Sequence, residues 1–184
     1  GGWGLYTDEG STDIVLYDNL VHHTKDGGFD QHYGKNNLVT NNIFAFGAEC
    51  MIRRNDLRDR HTSFTFERNI VLYDRGYVLG GGWGTHAEGF YSLDHNLYWH
   101  ADGQGVLFTK ELDFAAWQKK YGQDKNSLVA DPRFVDARNG DFHLQPDSPA
   151  VAKLGFKPFD YEQAGRTSPA RLTQGLPPVP KAFD

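Results

Sequence analysis

A short phrase, an asparagine followed by two apolar or aromatic residues, occurs four times in the chain. The four copies are Asn19-Leu20-Val21, Asn42-Ile43-Phe44, Asn69-Ile70-Val71 and Asn96-Leu97-Tyr98. Successive copies are 23, 27 and 27 residues apart, and an interval of that size indicates a structural unit that repeats along the chain. Each copy follows a run of strand-forming residues, at positions 13–17, 37–40, 63–66 and 89–93. The pattern predicts a parallel β-helix with short strands separated by bends.

The repeated asparagine suits the bend of such a coil, because it tolerates a left-handed backbone and can bond its own main chain. When coils stack, the asparagine amides lie above one another and can form hydrogen bonds along the stack. We expect mainly aliphatic residues to fill the cylinder. The predicted inward positions are Ile14, Leu16, Leu20, Leu38, Ile43, Phe64, Phe66, Ile70, Leu93 and Leu97.

The 184 residues suffice for one domain with a substantial core. The strand pattern predicts β-helix coils over residues 1–108 and a capping segment over 109–167, with one short helix and a hairpin. Helical spacing follows Asp113, a predicted N-cap. The predicted hairpin pairs residues 129–135 with 140–144, and 168–184 form an extended tail around the outside. Because a stack exposes strand edges at both ends, we expect upstream chain or a second protomer to cover the first coil.

Charge and cysteine content exclude several classes of function. The net charge of −5 does not indicate the basic surface that nucleic-acid binding requires, and no basic run suited to an anionic membrane surface is present. No apolar stretch reaches transmembrane length. A single cysteine, Cys50, rules out an internal disulfide framework and a multi-cysteine zinc site, and its apolar neighbours indicate a packing role.

Four segments resemble the secreted bacterial right-handed β-helix proteins of the pectate-lyase-like superfamily. They are GLYTDEGS at residues 4–11, GGFDQHYG at 27–34, and SLVADP at 127–132 with DSPA at 147–150. The resemblance extends from Gly4 to Phe159. It implies a right-handed parallel β-helix, a secreted or periplasmic location and a carbohydrate substrate. Such proteins are mostly glycoside hydrolases and polysaccharide lyases, so the resemblance does not fix the reaction.

The distances to the asparagines predict where the acidic residues lie. Asp8 is eleven residues before Asn19, as Gln31 is before Asn42. The spacing therefore pairs Asp8 with Gln31, with Asp30 one position further back on the same face.

Carboxylates one coil apart, at about 4.8 Å per coil, fall near the ~5 Å separation of retaining glycosidases. Two coils give about 10 Å, closer to inverting geometry. Crowding of acids raises the pKa of one of them and so creates a proton donor beside an ionised partner. The predicted catalytic residues are Asp8, Glu9, Asp30 and Glu49. A solvated bend at Asp8-Glu9 and a surface salt bridge from Glu49 to an arginine are the structural alternatives.

Substrate contacts are predicted for His32, Arg53, Trp83 and His86. Trp83 lies between glycines and is expected to be presented at a turn. Further candidates for an aromatic platform are Trp3, Tyr6, Tyr33, Tyr98 and Trp99, although aromatic residues also fill β-helix cores. No metal site is predicted: His22 and His23 are neighbours on a strand and should point to opposite faces.

Three functions remain open. A glycoside hydrolase needs the paired carboxylates and no cofactor. A polysaccharide lyase needs a basic residue, here Lys25, Lys35, Arg53 or Arg54, and usually Ca²⁺ held by acids. A non-catalytic carbohydrate-binding β-helix needs only a groove along the coils in which a glycan binds.

Overall fold

The computed structural model describes residues 2–55, 61–83 and 90–165. The described chain forms a parallel β-solenoid of about four coils. The strands, numbered along the chain, are β1 (Leu5–Thr7), β2 (Ser11–Thr12), β3 (Val15–Tyr17), β4 (Leu20–His22), β5 (Phe29–Gln31), β6 (Gly34–Lys35), β7 (Asn37–Thr40), β8 (Ile43–Ala45), β9 (Cys50–Arg54), β10 (Phe64–Glu67), β11 (Ile70–Tyr73), β12 (Tyr77–Gly81), β13 (Tyr91–Asp94), β14 (Leu97–His100), β15 (Leu107–Thr109), β16 (Leu112–Asp113), β17 (Leu128–Val129), β18 (Phe134–Asp136) and β19 (Asp141–Leu144).

Three parallel sheets form the sides of the solenoid. Sheet 1 has the order β1-β5-β9-β12, sheet 2 the order β3-β7-β10-β13, and sheet 3 the order β4-β8-β11-β14-β17. A small parallel pair, β2 with β6, lies at the bend between sheets 1 and 2. The prediction of an all-β parallel β-helix is confirmed.

Aromatic side chains from all three sheets fill the interior, among them Phe29, Phe44 and Phe66, each fully buried. The prediction that Leu38 and Ile14 point into the interior is wrong. Asn37 and Val39 are buried on either side of Leu38, so strand alternation turns Leu38 to the outer face beside Val15. Ile14 is 40% exposed in the bend before β3.

The repeated asparagines form the predicted ladder. The amide oxygens of Asn42, Asn69 and Asn96 each accept from the backbone N–H and the side-chain amide of the asparagine one coil earlier, at 2.8–3.2 Å. At the end of the ladder, the N–H of Asn96 donates to Ser127 Oγ at 2.9 Å. The left-handed residue is the one before each asparagine, not the asparagine itself. These residues are Asp18, Asn41, Arg68 and His95, with φ of 51–57°.

Sheet 3 is apolar on both faces. Its inner face carries Val21, Phe44, Val71 and Tyr98, which belong to the interior cluster. The alternate residues lie on the outer face, against the C-terminal segment. The inward prediction is therefore wrong for Leu20, Ile43, Ile70 and Leu97. An apolar pair after each asparagine cannot show which of its two members points inward.

The C-terminal part has two separate roles. Helix α1 (Phe114–Tyr121) begins at the predicted N-cap, where Asp113 accepts from the N–H of Ala116 at 2.8 Å. Its Trp117 is fully buried against Phe108 and Tyr91, so α1 covers the end of the interior.

A hairpin forms as β18 with β19, but its first strand begins at Phe134 and not at Val129, which belongs to β17 of sheet 3. The hairpin packs on the outer face of sheet 3 rather than closing the end. A short helix that was not predicted, α2 (Pro149–Leu154), packs beside it. The predicted tail at 168–184 lies outside the described residues.

We predict that Asn69→Ala lowers the free energy of unfolding by about 2–4 kcal/mol, because the N–H and side-chain amide of Asn42 and the carbonyl of Val39 lose their partner. Asn19→Ala, at the half-buried first position, should cost less than about 1 kcal/mol. Urea unfolding measures both. Equal losses at the two positions would contradict a ladder buried in the middle of the stack.

Candidate functional site

The outer face of sheet 1 carries a column of polar residues. In the strand register, Tyr6 pairs with Asp30, Asp30 with Arg53, and Arg53 with Gly80. The residues immediately before them, such as Phe29 and Ile52, are buried in the interior. Because side chains alternate along a strand, the column faces outward.

Asp8, His32 and Tyr6 form a mutually bonded cluster at one edge of this face. The Tyr6 hydroxyl donates to Asp8 Oδ1 at 2.7 Å, and His32 Nδ1 lies 3.1 Å from the same oxygen. The Tyr6 hydroxyl is 3.3 Å from His32 Nδ1. The Asp8 side chain is 67% exposed and that of His32 26%. The hydroxyl and then the imidazole hold the pKa of Asp8 below its usual value. The same bond to Asp8 raises the pKa of Tyr6 to about 12.

Asp30 occupies a different environment on the next coil. It is fully buried, and burial raises its pKa to about 6 despite the opposing hydrogen bond from Asn55 and the nearby charge of Arg53. The Asn55 amide donates to Asp30 Oδ1 at 2.7 Å. The other oxygen, Oδ2, has no hydrogen-bond partner in the described part of the chain. Asp8 and Asp30 therefore have pKa values displaced in opposite directions.

Arg53 is held by two carboxylates. Its Nη2 lies 2.6 Å from Asp26 Oδ1 and 3.1 Å from Glu49 Oε2, and its Nε donates to Asp26 at 2.8 Å. Glu49 is 60% exposed in its side chain. Glu49 therefore forms the surface salt bridge to an arginine that was predicted as the structural alternative to a catalytic role.

An aromatic pair lies beside the polar column. The rings of Trp3 and Tyr6 stack with centroids 4.7 Å apart and an angle of 30°. Trp3 Nε1 donates to Asp26 Oδ2 at 3.2 Å. Two of the six predicted platform residues, Trp3 and Tyr6, are thus on the same face as the acids.

The predicted register of the acids is wrong by one residue. The spacing paired Asp8 with Gln31, whereas the strands pair Thr7 with Gln31, so Asp8 lies opposite His32. The offset between the first two coils is 24 residues in sheet 1 and 23 in sheet 2. The bend at residues 8–10 is one residue longer than the equivalent bend at 32–33. Gly10 has a φ of 73° within the longer bend.

Glu9 does not join the Asp8 cluster. The Tyr33 hydroxyl donates to Glu9 Oε2 at 3.3 Å, so Glu9 bonds the neighbouring residue of the second coil. The structure thus brings together Asp8 with His32 and, in register, Asp30 with Arg53.

Trp83 is not an exposed contact, and this prediction is wrong. It is 5% exposed, and its ring packs edge-to-face against Tyr91 and Phe64. Its indole N–H donates to the carbonyl of Gly80 at 2.5 Å. Burial of a large ring in the core outweighs its presentation at a turn. The other predicted contact, His86, lies outside the described residues.

The prediction that His22 and His23 point to opposite faces is also wrong. His22 Nδ1 and His23 Nδ1 are 2.8 Å apart, because His23 is left-handed, with a φ of 54°, and breaks the strand alternation. Across the described ranges, no group of three or more His, Cys, Asp or Glu side chains is arranged to hold a metal ion. Neither described helix has the length and apolar character of a membrane span.

Asp26 and Asn55 are site residues that the asparagine spacing does not single out. The strand register does identify Asn55: because Asp30 pairs with Arg53, Asn55 follows two residues later, opposite His32. Asp26 lies just before the strand, where no repeat marks it.

Comparison with known proteins gives one relative without an assigned activity. Over 152 residues the chain is 30% identical to the uncharacterized protein YwoF of Bacillus subtilis (strain 168), covering 76% of this chain and 31% of that protein. The chain thus spans about a third of the length of the curated relative that it matches. No family profile matches the chain, and no solved structure does.

We predict opposite effects of the two acids on stability as pH changes. Asp30 has a raised pKa, so its contribution is fully present below the unfolded value near 3.8 and is lost as pH rises through about 6. Asp30→Asn should remove about 3 kcal/mol of that pH dependence. Asp8 has a lowered pKa, so the stability it contributes is lost as pH falls.

Urea unfolding of the wild type, Asp30→Asn and Asp8→Asn across the acid range measures these differences. The same pH dependence in Asp30→Asn and in the wild type would show that Asp30 titrates normally.

Proposed function

We propose that this chain is part of a β-helix protein that hydrolyses glycosidic bonds on the outer face of sheet 1. The observation that carries the proposal is the pair Asp8 and Asp30, on adjacent coils of one face, with pKa values displaced in opposite directions. Two carboxyl groups kept in different protonation states are what glycoside hydrolysis requires.

Asp30 would act as the general acid. With a pKa of about 6 it keeps its proton in mildly acidic solution and donates it to the departing glycosidic oxygen. Asp8 would act as the ionised partner, either attacking the sugar or activating a water. The Tyr6 hydroxyl and His32 fix the orientation of its carboxylate.

Access to Asp30 requires a movement of Asn55. The Asn55 side chain is exposed, yet its amide covers Asp30 Oδ1 at 2.7 Å. A sugar hydroxyl or the glycosidic oxygen can replace that amide as the hydrogen-bond partner of Asp30. The stacked rings of Trp3 and Tyr6 provide an apolar surface beside the acids for the face of a sugar ring.

The wider setting of the activity is part of the same proposal. A glycan in a polymer is encountered outside the cytoplasm, which fits a secreted or periplasmic protein with no cofactor. The substrate would run along the strand stack, so a further coil or a second protomer next to the first coil would extend this face.

A polysaccharide lyase is the second candidate, because Arg53 neighbours Asp30 in the column and a lyase needs a basic residue near the acidic sugar. Arg53 already bonds Asp26 and Glu49, which leaves less of its charge for a substrate carboxylate. Hydrolysis is therefore preferred. A lyase produces an unsaturated sugar that absorbs ultraviolet light, and it would act only on uronate-containing glycans.

We predict that Asp8→Asn and Asp30→Asn each lower kcat on a cleaved glycan by about 10²- to 10⁴-fold. The matched control is Asp13→Asn: Asp13 is exposed on the same coil with a φ of 57°, a conformation that asparagine tolerates. Reducing ends released from a panel of neutral and acidic polysaccharides measure the activity.

Full activity in both site variants would refute the carboxylate pair. Binding without cleavage of any glycan in the panel would favour a carbohydrate-binding role, and ultraviolet-absorbing products would favour the lyase.

We also predict that kcat/KM falls as pH rises above about 6, because Asp30 then loses the proton that it must donate. Initial rates across a pH series measure the profile. In Asn55→Ala, which loses the bond to Asp30, the Asp30 carboxylate is less stabilised and the descending limb should move to higher pH. A kcat/KM that rises from pH 6 to pH 8 would exclude Asp30 as the acid.

A further inference from the structure

A groove of about 490 Å³ lies where sheet 2 turns into sheet 3, away from the face that carries Asp8 and Asp30. The coils contribute Tyr17, Asp18 and Arg68 to its lining, and the C-terminal segment contributes Lys157 and Pro158. None of these residues belongs to sheet 1. Its volume falls within the range of small-molecule sites in proteins.

The walls of this groove, which we call the Tyr17 groove, are fixed by hydrogen bonds between distant parts of the chain. Asn41 Nδ2 donates to the carbonyl of Lys157, and the N–H of Lys157 donates to Asn41 Oδ1, both at 2.7 Å. Asn41 Nδ2 also donates to Asp18 Oδ1 at 2.6 Å. The same amide therefore joins the wall of the C-terminal segment to the coils and orients the carboxylate of Asp18. The groove is formed before any ligand arrives.

Tyr17 is the most exposed of the large hydrophobic side chains in the described chain, at 61%. It pairs in register with Thr40, so its ring stands on the outer face of sheet 2 at the mouth of the groove. An exposed ring of this size contributes little to folding, but it offers an apolar surface to a flat ligand.

The charged groups around the ring are of both signs. Asp18 presents a carboxylate, Lys157 an ammonium, and Arg68 a guanidinium that is paired with Glu67. Together they offer both donors and acceptors, without the excess of one sign that would suit a strongly charged ligand. Hydroxyl groups match such a lining, since each hydroxyl both donates and accepts.

We propose that the Tyr17 groove binds one sugar unit of a glycan without cleaving it. The pyranose ring lies on the ring of Tyr17, and its hydroxyls bond Asp18, Lys157 and Arg68. Such a site holds a polymer on the protein at a second point, which raises the local concentration of substrate at another face. Sugar binding at the Tyr17 groove does not rest on glycan hydrolysis; only its role in supplying substrate rests on the proposed function of sheet 1.

The test is a titration followed by nuclear magnetic resonance, with two probes: xylohexaose, a neutral hexasaccharide, and hexagalacturonate, an acidic one. The protein carries Asp8→Asn and Asp30→Asn, so that cleavage at sheet 1 does not consume the probe. We expect at least one hexasaccharide to shift the amide signals of Tyr17, Asp18 and Lys157. Signals of Tyr6 and His32 report sheet 1 separately.

Three further substitutions make the test specific. Tyr17→Ala should weaken binding at the groove about tenfold, which corresponds to about 1.4 kcal/mol. Tyr17→Phe keeps the ring and should bind within about threefold of the parent. The matched control Val15→Ala alters an exposed residue of the same strand, outside the groove lining, and should leave the affinity unchanged.

The proposal is overturned if neither hexasaccharide shifts the groove signals, or if Tyr17→Ala binds as tightly as the parent. Shifts confined to Tyr6 and His32 would also overturn it, while leaving the sheet 1 proposal intact. Groove shifts from a hexasaccharide that the wild-type protein does not cleave would support the groove site and count against the sheet 1 proposal.

Discussion

The vertical hydrogen bonding of the coils is the constraint on which the structure depends. Backbone ladders join each strand to the equivalent strand of the neighbouring coil, and the asparagine ladder adds an amide bond between successive coils, part-buried at Asn19 and buried further along. The amide also bonds the carbonyl of a neighbouring coil, as Asn69 does with Val39. The ladder amides of Asn42 and Asn69 thus accept hydrogen bonds from one neighbouring asparagine and donate to the next. A coil therefore cannot shift along its neighbour without leaving buried polar atoms unpaired.

The end of the ladder shows how the stack is closed. Asp124 is buried and accepts hydrogen bonds from Tyr98, Trp117 and Ser127 at 2.6–2.9 Å. Burial raises the pKa of this carboxyl. The same residue thus joins the last coil, the capping helix and the end of the ladder. One acid with several donors satisfies the groups that the next coil would otherwise have paired.

The candidate site depends on a local departure from the same regularity. One additional residue in the bend at 8–10 shifts β1 against β5, so that Asp8 meets His32 and Tyr6 stands over Asp30. With the 23-residue offset that sheets 2 and 3 have between the same two coils, Asp8 would have met Gln31, which is buried in the structure. A change of one residue decides which side chains share a face because strand side chains alternate. The register adds His32 to the Tyr6 hydroxyl as a second group that lowers the pKa of Asp8, whereas burial raises the pKa of Asp30.

The sequence by itself determined the repeat, the strands, the asparagine ladder, the N-cap at Asp113 and the presence of the hairpin, because each is set by local spacing or local hydrogen bonding. It also indicated that acids from adjacent coils share a face. Only the tertiary structure decided that Ile43 and Ile70 face outward, that Trp83 is buried and that Asp30 is covered by Asn55. These depend on contacts between residues far apart in the chain. An apolar side chain is buried equally well by the interior or by a returning segment, and only the folded chain shows which of the two covers it.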